Sequence, residues 1–181
     1  MVRKIFTENP EDDLWQELLR YSYKANVKRY LDEHSLPYND GVINCIIGSV
    51  LQAHEYYSAG KNVNLQISPL LLYYGTTNLL FGIGTLISGT IPNIQKHGMK
   101  PNSSTIQNYI ADTSVTFLDP KCGGIHQFTK WFGYTEDLAK LGSWQLIDFL
   151  SSIAEINDDY QRCYSEKYGN ILMLDIFQTP T

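Results

Sequence analysis

From Asn62 to Gln95 the chain carries no charged side chain. A stretch that long and that neutral has to lie against hydrocarbon or against the interior of a protein. Its apolar part, Leu70 to Ile87, approaches the length of a bilayer span. Tyr73, Tyr74, Thr76, Thr77 and Asn78 sit in the middle of it, where a lipid-facing helix carries aliphatic side chains, and no Lys/Arg cluster flanks it closely. The expectation is a buried central helix in a soluble protein, with no membrane partner. Leu71, Leu72, Leu79, Leu80 and Ile83 are then core residues.

The charges collect elsewhere. Of the 33 Asp, Glu, Lys and Arg residues, 14 are basic and 19 acidic, giving a net charge of −5. That balance argues against a protein that coats nucleic acid through bulk charge, though it leaves room for a local basic site. Aromatic residues reach 13%, enough apolar surface to offset chain entropy, so a disordered chain is excluded. Cys45, Cys122 and Cys163 are far apart and form no CxxC pair, which excludes a zinc ribbon, a redox motif and a disulfide framework. The opening MVRKIFTENPEDDLW has no apolar run behind its cations and is not a signal peptide. The expected compartment is the cytoplasm.

Helix signals dominate the first half. Asn9-Pro10 supplies a cap and a first-turn proline, and Glu11, Asp12 and Asp13 follow where the helix dipole favours anions. Trp15, Leu18, Leu19 and Tyr23 recur at helical spacing, and the pattern continues through Val27, Tyr30 and Leu31 after a break near Ala25-Asn26. Ser35-Leu36-Pro37 ends it. A second helix follows Asn39-Asp40, with Val42, Ile43, Ile46, Ile47, Val50, Leu51, His54 and Tyr57 on its apolar side and Gly60 as its C-cap. Ser68-Pro69 opens the third, Ser68 capping. Gly75 and Gly82, two turns apart, share a face where another helix backbone could come close.

Beyond His97 the texture changes. Residues 105–118 mix β-branched and aromatic side chains between turn signals and predict one or two short strands; residues 119–124 form a loop. Phe128 to Phe132 predicts a helical turn, Thr135-Glu136-Asp137 a short helix start, and Ser143 the cap of a last helix carrying Trp144, Leu146, Ile147, Phe149, Leu150, Ile153 and Ile156. Ile171 to Thr181 reads as a strand without a partner. The fold class is mainly α, with a small β-hairpin insertion in the second half. The organisation is a single domain over 1–181, with a helical core at about 10–95 and a mixed α/β part at about 96–181.

The segments Leu51 to Ala59, with Tyr56-Tyr57, Gln66 to Gly75, with Pro69-Leu70-Leu71-Leu72-Tyr73-Tyr74-Gly75, then Leu79-Leu80 and His97-Gly98-Met99, resemble the YaaC-like proteins of bacteria. Trp15, Tyr30-Leu31 and the Leu146 to Tyr160 segment are similar too, with Ala154 standing where the family has proline. The resemblance covers about residues 12–165. Family members are generally longer, which implies a shortened C-terminal part here. The resemblance implies a helical core similar to the HEPN superfamily of helical bundles. Many HEPN domains dimerise, many are metal-independent ribonucleases of toxin–antitoxin and anti-phage systems, and others are binding or dimerisation modules.

A HEPN ribonuclease uses an Arg and, four to six residues later, a His: the Arg stabilises phosphate charge and the His transfers protons. Arg29 and His34 have this spacing. Five residues on an unbroken helix point about 140° apart, so His34 swings back only if the helix ends near Glu33. Against catalysis, short spacings arise often by chance, and Asp32 and Glu33 would repel RNA phosphates. His97-Gly98 could orient a substrate or bind phosphate, or could simply hold a loop. His54 and Tyr73-Tyr74 read more readily as core residues than as a site. Cys122 and His126, with His97, make a weak zinc spacing without a fourth ligand. The Gly82-Ile83-Gly84 motif lacks the lysine and third glycine of a nucleotide loop. No metal and no cofactor is expected.

The first functional expectation is a binding or dimerisation module in a bacterial or phage-related pathway, defence or toxin–antitoxin systems included, working as a homodimer or with a protein partner. The second is a ribonuclease acting on RNA through Arg29 and His34. The third is a small-molecule enzyme with a pocket near Tyr74 and His97.

Overall fold

The computed structural model describes residues 8–102, 113–118, 123–134, 137–151, 153 and 157–163. They divide into two compact units, one up to Asn93 and one from Ile94. The fold is mainly helical, with one small antiparallel sheet in the second unit.

In the first unit α1 (Pro10–Leu19) starts where expected: the Asn9 side chain accepts the Asp12 N–H, satisfying an amide that has no partner inside the helix. A 3₁₀ turn at Arg20–Ser22 separates it from α2 (Lys24–Glu33), and the Asn26 amide donates to the Arg20 carbonyl across that break at 2.8 Å. α2 stops at His34, and Ser35 takes a left-handed φ of 52° ahead of Pro37. α3 (Asp40–Lys61) is capped by Asn39, whose Oδ1 accepts the Val42 N–H at 3.0 Å. Lys24 on α2 meets Asp40 in its first turn at 2.9 Å. Gly60 is a helical residue and not the cap: a Cβ there would press on Leu72, and Asn62 ends the helix.

α4 (Ser68–Ser88) runs antiparallel to α3. Ser68 is its first residue and not its cap. The Asn64 side chain accepts the Gln66 and Ile67 N–H groups in the turn before it. The two glycines set the distance between the helices. A Cβ on Gly75 would stand 2.9 Å from Tyr57 Cδ2, and one on Gly82 2.9 Å from Ser49 Cβ. Gly89 ends α4 at φ 67°, with the Pro37 carbonyl in the space a side chain would need.

The core of this unit is built by α2 and α3, from Val27 and Leu31 with Val42, Ile43 and Ile46, and it is closed by Leu86 near the end of α4. The charge-free helix is therefore not the centre. Its buried residues are Gly75, Gly82, Gly84, Thr85 and Leu86, whereas Leu71, Leu72, Leu79, Leu80 and Ile83 are only half-buried. A helix that is apolar all round needs neighbours on every side to be buried, and among the described elements α3 is its main partner. On α3 the same correction is smaller: Leu51 is exposed and Ala53 takes the buried place.

The second unit holds β1 (Met99–Pro101), β2 (Ser114–Phe117) and β3 (Ser143–Gln145) in the order β1-β2-β3, antiparallel throughout. The insertion is thus a three-stranded sheet. Ser143 is a strand residue paired with Thr116, not a helix cap. The short α6 (Leu146–Leu150) starts behind it, where the Asp148 carboxylate accepts the Gln145 N–H at 3.2 Å. α5 (Gly124–Trp131) covers the predicted turn at Phe128, Asp137 caps a 3₁₀ turn at Leu138–Leu141, and α7 spans Asn157–Cys163. The expected loop at 119–122, the helix continuation at Ile156 and the strand at 171–181 lie outside the described residues, as do residues 105–112 of the strand-rich segment.

Candidate functional site

The tyrosine-bearing segments of the family resemblance, Leu51 to Ala59 and Gln66 to Gly75, meet along the α3–α4 pair. Tyr57 lies over Gly75, and its hydroxyl is 2.7 Å from Thr76 Oγ1. Thr76 already donates to the Leu72 carbonyl at 2.9 Å, so Tyr57 is the donor in that pair. Trp15 of α1 packs edge-on against His54 and tilted against Tyr57, with ring centroids 5.1 and 5.4 Å apart. Tyr56 faces Tyr74 at 5.8 Å, and Tyr74 meets Tyr73 edge-on at 5.4 Å. His54 is half-buried in this aromatic group. Tyr73 and Tyr74, expected in the core, are each 41% exposed. They stand on α4 outside the glycine face that packs against α3.

Further apolar side chains are exposed at the two ends of the helix. Pro69 and Leu70 are exposed at its start and Ile87 at its end. The polar residues that lie among them use their hydrogens inside the helix: Thr77 donates to the Tyr73 carbonyl and Asn78 to the Tyr74 carbonyl, each at 2.9 Å. The result is a surface of aliphatic and aromatic groups, without charge, on a helix long and apolar enough to cross a membrane by length and composition.

The second sequence candidate is assembled differently from what catalysis needs. Arg29 lines a shallow cleft of about 140 Å³ together with Glu17, Arg20, Tyr21, Tyr30 and Glu33. Arg20 is paired with Glu17 at 2.8 Å, and Arg29 donates to the Asn26 side chain at 3.2 Å. A phosphate entering there would meet two carboxylates beside two guanidinium groups. His34 is exposed and does not line the cleft. Its ring stacks on Tyr30 at 4.1 Å, and Nδ1 bonds the Tyr30 carbonyl at 2.8 Å, the same carbonyl that accepts the His34 backbone N–H at 3.1 Å at the end of α2.

His97 and Gly98 belong to the second unit, where the backbone explains the glycine. Gly98 has φ 85°, and a Cβ there would lie 2.9 Å from the Ile125 side chain. Its carbonyl accepts the Leu118 N–H at 2.7 Å, while the Lys96 and His97 carbonyls accept the Gly124 and Ile125 N–H groups at the start of α5. His97-Gly98 thus stitches the end of β2 to α5. His97 itself is exposed. His126 on α5 is 2% exposed, and its Nε2 has no hydrogen-bond partner among the described residues. Cys122, its companion in the zinc spacing, lies outside the described residues, and no group of three His, Cys, Asp or Glu able to hold a metal occurs among the described ones.

The α3–α4 pair carries the tyrosine-bearing segments of the resemblance and the second unit carries His97-Gly98, and the comparison with family models agrees with it: the YaaC-like protein model matches residues 11–176. This chain belongs to the YaaC-like family. Neither a search of curated proteins nor one of solved structures finds a match. In this YaaC-like chain, Gly75 and Gly98 are explained by packing and backbone geometry. Tyr73 and Tyr74 stand at the surface.

A cavity of about 660 Å³ opens in the second unit between the sheet and α5. Its walls come from β1, β2, α5 with the turn after it, the 3₁₀ turn at Leu138, and β3 with α6; Trp144 and Phe149, expected on one apolar helix face, reach it from β3 and α6. The only sequence signal was the aromatic density between Met99 and Phe149.

Proposed function

We propose that this YaaC-like chain is a HEPN-type binding and dimerisation module of a bacterial or phage-related pathway in the cytoplasm, and that a second copy of the chain covers the bare side of α4. The observation that carries this reading is the exposure of Leu70 (55%), Tyr73 and Tyr74 (41% each) and Ile87 (39%) along one helix. Exposed aliphatic and aromatic side chains of that kind are what interfaces use. Because residues 62–95 carry no charge, a second copy can cover this surface without burying an unpaired ion of α4. The internal hydrogen bonds of Thr76, Thr77 and Asn78 lower the cost of covering it.

Sedimentation equilibrium in detergent-free buffer tests the reading. The parent chain is expected to be a dimer at micromolar concentration, and the Tyr73→Glu/Ile87→Glu double variant a folded monomer. A monomeric parent, or a dimer that survives the double variant, overturns it. Partition of the parent into neutral vesicles would assign the same surface to lipid instead.

A further inference from the structure

We propose that the cavity of the second unit is a binding site for a small, uncharged, ring-bearing molecule. The site is independent of the α4 surface. Its volume of about 660 Å³ falls within the range of small-molecule pockets, roughly 300–1,000 Å³. The floor is Val115 and Phe117 of β2, and α5 supplies Ile125 and Thr129.

The aromatic wall is already ordered. Trp144 stacks with Phe149 at 5.7 Å and 28°, and Phe117 meets Trp144 edge-on at 6.2 Å and 70°. Rings fixed by one another present faces and edges of defined polarity, to which a flat ring binds offset or edge-on. Little side-chain freedom is lost on binding to such a wall.

The charge of the ligand follows from the lining. Among the described residues no Asp, Glu, Lys, Arg or His lines the cavity, and a charged ligand would lose its hydration against these side chains with nothing from them to replace it. Tyr134 brings one hydroxyl-bearing side chain to the lining, and the Thr129 hydroxyl of α5 gives its hydrogen to the Ile125 carbonyl at 2.9 Å. It therefore offers a lone pair, which suits a ligand with a single N–H or O–H donor. Met99 and Phe132 stand at the rim, 42% and 72% exposed.

The probe is N-phenyl-1-naphthylamine, an uncharged aromatic amine with one N–H, titrated by its fluorescence into the full chain. Its sulfonated relative, 8-anilinonaphthalene-1-sulfonate, serves as the charged comparison. Saturable binding of one probe per chain is expected, at least tenfold tighter for the neutral compound. Phe132→Glu and Met99→Glu are each expected to weaken it tenfold or more with the circular dichroism of the parent. Tyr73→Glu on α4 leaves it unchanged. If one rim variant fails to fold, the other carries the test. Failure of the neutral probe to saturate, equal affinity for both probes, or loss of binding in Tyr73→Glu with the rim variants unaffected would each overturn the proposal. The dimer could still stand in any of these cases, since it is read by sedimentation.

Discussion

Ser49 Cβ occupies the place where a side chain on Gly82 would begin: a Cβ built on Gly82 stands 2.9 Å from it. Gly82→Ala gains about 1 kcal/mol in helix propensity and meets an overpacking cost of about 1–3 kcal/mol. The single variant is expected to be destabilised in urea unfolding. Ser49→Gly removes the opposing carbon, so the double variant is expected to be more stable than the two single changes predict. Simple additivity would show that the glycine is not there for close approach.

Leu31 and Leu79 separate the true core from the charge-free helix. Leu31 is fully buried, and Leu31→Ala is expected to cost about 2–5 kcal/mol. Leu79 is half-buried, and Leu79→Ala is expected to cost about 1–2 kcal/mol. Chemical denaturation of both variants checks the order; equal losses would move the centre of the core onto α4.

Asp40 gives the pH dependence a sign. The hydrogen bond from Lys24, followed by the Lys24 charge, holds its carboxyl below the usual carboxylate range. A carboxyl whose folded-state value is lowered contributes stability that is present above its unfolded value and is lost as pH falls through the folded one. The contribution is small because both partners are solvent-exposed. Stability is expected to fall as pH drops below about 4, and Asp40→Asn is expected to flatten that limb while leaving the neutral-to-alkaline range unchanged. Unfolding midpoints between pH 2 and 7 measure it.

Arg29 and His34 are expected not to act as a catalytic pair. Metal-free incubation with single-stranded and structured RNA should give no cleavage that Arg29→Ala and His34→Ala both abolish. His34→Ala should instead lower stability by about 0.5–1.5 kcal/mol, through the lost bond to the Tyr30 carbonyl. Robust cleavage lost in both folded variants would make the ribonuclease reading the better one.

What the amino-acid sequence determined by itself is what depends on neighbours a few residues away. The Asn9 and Asn39 caps work through bonds to residues three positions on, so both helix starts were legible. So was the stop before Pro37, which is a steric rule of adjacent residues. The close-packing face of Gly75 and Gly82 was legible because two turns of helix align them whatever the partner. The tertiary structure alone decided what depends on distant partners. An all-round apolar helix carries no periodicity to say which side is covered, and α3 covered the glycine side, leaving Tyr73 and Tyr74 at the surface. Ser143–Gln145 became a strand because residues 114–116 were available to pair with it, a hydrogen-bonding demand that local propensity does not record. The cavity needed that same pairing, since it brings Trp144 beside Phe117 from 27 positions along the chain.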